Sequence, residues 1–243
     1  MYNEEITTIQ NIEIPNYAEP FDDTPIQMGK NETIKNKIAR QLLEIGAIFL
    51  RPNDPFTWVS GIKSPIYCDN RLTLSFPEVR REIEQGLAET VSKYFPTCQA
   101  IYGTSTAGIP HASLTADLLN LPMGYVRTGV KDHGRNNQIE GRVEFGWDVV
   151  VVEDLISTAS SAIQVAEILR EAGCNVLGIV SIFTYGMKKG LDNLQEANVI
   201  NISLSDFDTL IETALEKRII ELSDVKKLLA FRANPSDSSW QSL

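Results

Sequence analysis

Val149-Val-Val-Val-Glu-Asp-Leu-Ile-Ser-Thr-Ala-Ser-Ser-Ala162 is the stretch from which the fold can be read. Asp148 to Val152 is a nearly continuous β-branched run, the mark of a strand buried on both faces. The strand ends in two adjacent carboxylates, Glu153 and Asp154, and a hydroxyl-rich turn from Ser157 to Ser161 then opens a helix. Ala162, Val165, Ala166, Leu169 and Ala172 share one face of that helix, and Gly173 is placed to stop it. Val176 to Phe183 is a second apolar strand. Strand, helix and strand in this order predict a right-handed crossover, and therefore an α/β fold with a mostly parallel central sheet flanked by helices.

In an open sheet of this kind, ligands bind beyond the carboxyl ends of the strands. A helix N-terminus there presents unpaired N–H groups and the positive end of a dipole, which suits phosphate. Ser157, Thr158, Ser160 and Ser161 add hydroxyls, and the paired acids suit a sugar diol, directly or through a metal. The plainer reading is a solvated loop with a helix cap. Two acids abutting four consecutive valines and leading straight into a phosphate-type turn favour the functional one.

The same theme extends to either side. Gln99 to Tyr102 is a short strand leading into Gly103-Thr-Ser-Thr-Ala-Gly108 and an apolar-rich stretch over 110–119, and Met123 to Val126 is a further strand. Upstream, Asn31 is placed to cap a helix in which Ile34, Ile38, Leu42 and Ile45 recur, with Gly46 as its stop. Pro77 opens a second helix over 77–94, and 205–231 returns to helix. Residues 127–142 carry Arg127, Lys131, Arg135 and Arg142 against Asp132 and Glu140, with His133 and three glycines. A basic, glycine-punctuated loop on an acidic protein suggests a lid over an anionic substrate, the plainer reading being an ordinary solvated loop with scattered bases.

Composition narrows the classes. The chain has 243 residues, 43% hydrophobic and 22% charged, with a net charge of −10. A body this acidic is a poor non-specific nucleic-acid binder. No run is long and apolar enough for a membrane span, and the acidic N-terminus has no basic-then-apolar leader. Cys68, Cys98 and Cys174 are widely spaced and form no disulfide framework, which favours a reducing, cytoplasmic setting. With only His111 and His133, and no close Cys/His spacing, no protein-borne metal site is expected. Residues 1–32 hold −6 of the −10 charge together with Pro15, Pro20 and Pro25. Residues 1–30 are therefore expected to be a flexible acidic extension, and 31–243 the functional domain.

The 149–162 segment resembles the phosphoribosyl-pyrophosphate (PRPP) motif of type I phosphoribosyltransferases. Three further blocks resemble the orotate phosphoribosyltransferase branch of that group. Phe56-Thr-Trp-Val-Ser-Gly-Ile-Lys-Ser-Pro-Ile-Tyr-Cys-Asp-Asn-Arg71 is similar to the hood over the orotate ring, within about 47–75. Gly103 to Pro110 is similar to the loop near pyrophosphate, and Arg127 to Gly134, continuing to Gly141, to the mobile catalytic lid.

The resemblance implies the type I phosphoribosyltransferase fold with an N-terminal hood, and transfer of ribose 5-phosphate from PRPP to N1 of orotate in pyrimidine biosynthesis. It also implies Mg²⁺, bound mainly through PRPP and water, and a homodimer in which each lid closes over the partner's site. Lys131, His133 and Asp154 are then the catalytic set. Arg127, Glu153, Leu155, Ile156, Ser157, Thr158, Ala159, Ser160 and Ser161 would hold PRPP, with Lys63, Tyr67 and Cys68 in the hood. His111 is expected to be structural.

Some positions depart from the family pattern. Ala159-Ser160 stands where many relatives carry Gly-Gly, and a Cβ at a positive-φ position there costs about 1 kcal/mol or more. Thr128 and Gly129 replace a second lid lysine, and Val59 and Ala107 replace lysines of some relatives. Weaker PRPP binding or slower turnover is expected from these changes. The alternative reading is a PRPP-binding regulator with lost or weak catalysis. Such a protein should lack the lid Lys and His, yet Lys131 and His133 are both present.

Overall fold

The computed structural model describes residues 32–58, 61–127 and 138–243. The acidic extension, most of the lid, and with it Lys131 and His133, lie outside the described residues.

The first helix, α1 (Ile34–Glu44), turns Ile38, Ala39 and Leu42 inward. Asn31 was the expected cap, but Thr33 takes that place, because its hydroxyl accepts the Asn36 N–H at 3.2 Å. Ile45 ends the helix and Gly46 follows at φ +68°, a left-handed stop that suits glycine.

The hood follows as two small antiparallel pairs. Strand β1 (Ile48–Leu50) pairs with β4 (Ile66–Cys68), and β2 (Phe56–Thr57) with β3 (Lys63–Ser64). A 3₁₀ turn over Asn70–Ser75 leads to α2 (Pro77–Tyr94), the helix expected from Pro77.

The body of the chain is a six-stranded sheet. Its strands are β5 (Ala100–Thr104), β6 (Met123–Val126), β7 (Ile139–Glu140), β8 (Asp148–Ile156), β9 (Asn175–Thr184) and β10 (Asn201–Asp206), in the order β10-β9-β8-β5-β6-β7. All neighbours are parallel except β7, which returns antiparallel along β6. Three strand–helix–strand units build the sheet, through α3 (Gly108–Leu119), α4 (Ser160–Glu171) and α5 (Lys188–Glu196). From β5 the chain steps outward to β6, whereas from β8 it steps the opposite way to β9 and β10. Adjacent β5 and β8 therefore form the switch point of the sheet, the place where open sheets of this kind form a ligand crevice at the strands' carboxyl ends.

Val149 to Val152 explain why β8 is central. Val150 and Val152 pack with Ile83, Leu87 and Val91 of α2 on one face. Val149 and Val151 pack with Ala162, Val165 and Leu169 of α4 on the other. All four valines are fully buried, as an unbroken β-branched run between two helical layers requires. At the C-terminus, the helix expected over 205–231 is two helices, α6 (Phe207–Glu216) and α7 (Leu222–Ala233). Its first residues belong to β10, whose last residue, Asp206, caps α6 by accepting the Thr209 N–H at 2.9 Å.

Candidate active site

Strand β8 delivers two carboxylates to the crevice. Glu153 is only 5% exposed; its Oε1 accepts the Asp154 N–H at 2.9 Å and its Oε2 the Ser161 hydroxyl at 3.2 Å. Burial, and then the adjoining Asp154 carboxyl, push the Glu153 carboxyl up to about 8. Burial thus favours the neutral form of Glu153 more than it would for an exposed carboxyl.

Beyond them the chain turns sharply. Ala159 sits at φ +60°, ψ 4°, in the left-handed region, and α4 begins at Ser160. The first N–H groups of α4 have no carbonyl partner within the helix, and they emerge at the crevice with the positive end of the helix dipole. Thr158 Oγ1 and Ser160 Oγ lie 3.1 Å apart on the exposed side of the turn. Hydroxyls, N–H groups and dipole together make an anion cradle. Leu155 and Ile156 serve it as scaffold. Leu155 packs against the core, while Ile156 is buried and its carbonyl accepts the Tyr185 N–H at 2.9 Å.

The other lip of the crevice is the loop from β5 to α3. Gly103 and Gly108 sit where a Cβ would strike backbone atoms, so the loop folds tightly onto β8. Thr104 Oγ1 donates to the Val152 carbonyl at 3.3 Å, and a cis peptide joins Ser105 to Thr106. Behind this loop His111 is fully buried, with Nδ1 2.8 Å from Glu84 Oε1. That geometry fits a packing role between α2 and α3.

The hood reaches the strand end through one side chain. Asn70, fully buried, donates from Nδ2 to the Asp154 carbonyl at 2.7 Å, and the Cys68 thiol donates to Asn70 Oδ1 at 3.3 Å. Burial raises the Cys68 thiol well above its usual range, so it is no thiolate nucleophile. Tyr67 is 41% exposed beside Phe56, with ring centroids 5.6 Å apart. Lys63 is exposed on β3 and donates to Thr57 Oγ1 at 2.7 Å within the hood itself. Trp58 packs, with ring centroids 6.1 Å from Tyr185 and 5.6 Å from Phe231.

At the base of the lid, the Arg127 N–H donates to the Gln138 carbonyl at 2.9 Å, and the Arg127 guanidinium is ion-paired with Glu140. The structure thus brings Glu153, Asp154, the 157–161 turn and Cys68 to one crevice. Asn70, Tyr185, Gly190 and Asn193 also meet the strand end or its turn, and they were not singled out from the sequence. A buried asparagine or a helical glycine far along the chain carries no pattern that would have marked it.

A cavity of about 500 Å³ lies beside the turn, lined by Ser157, Thr184, Met187, Leu191, Asn201 and Arg232 among others. Its basic residues are already engaged, Lys188 with Asp192 and Arg232 with Asp208. It therefore suits an anionic substrate less well than the crevice does.

Comparison with known proteins agrees with this architecture. No protein-family model matches the chain. The orotate phosphoribosyltransferase of Bacillus cytotoxicus is 59% identical over 207 residues, covering 85% of this chain and 99% of the relative. The solved orotate phosphoribosyltransferase of Aeropyrum pernix superposes with a TM-score of 0.64 at 30% identity, over 74% of this chain and 97% of that one. Leishmania donovani UMP synthase superposes at 0.70 with 25% identity, over 82% of this chain and 42% of that one.

Proposed function

This chain belongs to the orotate phosphoribosyltransferase family, and from that premise we propose that it transfers ribose 5-phosphate from PRPP to N1 of orotate, giving orotidine 5′-monophosphate and pyrophosphate for pyrimidine synthesis. One observation carries the placement of the chemistry. The acid pair Glu153-Asp154 ends β8 at the switch point and runs directly into a left-handed turn and a helix N-terminus.

The 5′-phosphate of PRPP sits on the N–H groups and hydroxyls of residues 157–161, where the helix dipole adds to each hydrogen bond. Asp154 and Glu153 hold the ribose hydroxyls. Adjacent at the end of β8, the two acids supply neighbouring carboxyl oxygens for the two hydroxyls of the diol. Bond breaking at the anomeric carbon leaves oxocarbenium-like charge on the sugar and negative charge on the departing pyrophosphate. The task of the protein is therefore positioning and charge stabilisation. Asp154 lies on the sugar side. Arg127, Lys131 and His133 neutralise the leaving group, Arg127 by exchanging Glu140 for the more strongly charged pyrophosphate. The orotate ring lies under the hood, against Lys63, Tyr67 and Cys68.

Among the described residues no cluster of three or more His, Cys, Asp or Glu side chains could cage a metal. Asp154, the more exposed of the two acids, would be the residue to meet a hard cation such as Mg²⁺, which keeps mostly phosphate and water oxygens. Bound there with PRPP, it would supply charge neutralisation of the diphosphate.

We place the enzyme in the cytoplasm as a homodimer. The family supports the dimer, as does the apolar pair Leu114 and Leu118, exposed one turn apart on α3. The three unpaired cysteines support a reducing compartment. Among the described residues no helix is long and apolar enough to cross a membrane.

The test is orotate consumption by the purified protein with PRPP and Mg²⁺, each omitted in turn. Turnover that requires both, with orotidine monophosphate formed, supports the reading. PRPP binding without turnover would replace it with the regulator.

A further inference from the structure

We infer that Asn193, on α5, is a positioning residue for the 5′-phosphate turn, setting the direction of its N–H groups without touching substrate. The inference rests on the proposed placement of the 5′-phosphate on residues 157–161.

Three successive carbonyls of the turn are taken up on the side of β9 and α5, each by a separate partner. The Ile156 carbonyl accepts the Tyr185 N–H at 2.9 Å. The Ser157 carbonyl lies against Gly190, so close that a Cβ there would collide with it. The Thr158 carbonyl accepts Asn193 Nδ2 at 2.8 Å. A carbonyl can only accept, so the Asn193 amide must present its NH₂ to Thr158.

The peptide bonds that follow Ser157 and Thr158 are trans. In a trans peptide the C=O and the next N–H point in opposite directions. Turning the Ser157 and Thr158 carbonyls toward α5 therefore turns the N–H groups of Thr158 and Ala159 toward the crevice, where they join the free N–H groups at the start of α4. The orientation needs an external hold, because Ala159 is strained. At φ +60° without a glycine, the turn gains by rotating the Thr158–Ala159 peptide away unless its carbonyl is held. Gly190 and Asn193 lie on one short helix, so the close approach of the first sets the reach of the second.

The experiment compares the wild type with Asn193→Asp, a substitution of the same shape that exchanges the donor for a carboxylate facing the Thr158 carbonyl. Calorimetry with ribose 5-phosphate as probe is combined with steady-state kinetics and a thermal melt. Asn193→Asp is expected to weaken ribose 5-phosphate binding and raise the KM for PRPP about tenfold, with kcat and the KM for orotate changed less than twofold. Asn193→Ala should show the same split at a smaller size. A purely structural role would lower the melting temperature and leave ribose 5-phosphate affinity at the wild-type value; that result overturns the inference. Ser160→Asp serves as the control, because it adds a negative charge to the cradle at a position favourable to the helix. Loss of ribose 5-phosphate binding in Ser160→Asp with unaltered binding in Asn193→Asp refutes only the role of Asn193. Unaltered binding in Ser160→Asp refutes the phosphate placement and the inference together.

Discussion

Ala159 and Ser160 occupy one dipeptide but face different physical demands. Ala159 carries φ +60°, where its Cβ crowds the following carbonyl, while Ser160 is the first residue of α4. The Ala159→Gly variant should therefore relieve strain, raising stability by about 1 kcal/mol and lowering the KM for PRPP. Ser160→Gly should do the reverse, because a helical glycine costs about 0.5–1 kcal/mol. Thermal melts and kinetics of the two single variants check this, and equal effects from both would sink it. The sequence could name the dipeptide but could not say which residue is left-handed, since that depends on where α4 starts.

Glu153 carries a pH signature. Its carboxyl is raised from the usual 4.5 to about 8 in the folded chain. A raised acid contributes its full stability below the unfolded value and loses it as pH rises through the folded one. Glu153→Gln, which keeps the neutral shape, should accordingly flatten the loss of stability between pH 4.5 and 8. Melting temperatures across that window check this, and an unchanged profile would assign the burden elsewhere.

At the scale of elements, the patterns that survived were those carried by continuous runs. The valine strand, the helix over 77–94 and the face of α4 are all written in neighbouring residues. Strand β10 was hidden because Asn201-Ile-Ser-Leu-Ser-Asp206 puts polar side chains on one face, among them a buried cluster with Ser203 Oγ 2.6 Å from Ser181 Oγ. The hood's attachment was equally hidden, since Asn70 meets Asp154 across 84 residues of sequence. That bond predicts the behaviour of Asn70→Ala. Removing a buried donor from the Asp154 carbonyl should cost about 1–3 kcal/mol of stability and loosen the hood. The KM for orotate should rise more than the KM for PRPP, and an equal rise in both would detach Asn70 from the hood's function.

Across the whole molecule, the reversal of strand order between β5 and β8 supports the proposed placement of substrates, and the exposed Leu114 and Leu118 of α3 support the proposed homodimer. Sedimentation equilibrium should give twice the chain mass, and a monomer at working concentration would overturn the proposed homodimer. The sequence by itself determined the fold class, the central strand, the acid pair and the hydroxyl-rich turn after it. Each of these is local, set by β-branching, helical period and the chemistry of adjacent side chains. Only the tertiary structure decided which strands stand side by side, which turn residue bears the strain, and that Asn70 and Asn193 hold the strand end and its turn. Those relations are hydrogen bonds and close approaches between segments far apart in the chain, and a linear pattern holds no trace of a partner until packing brings it within reach.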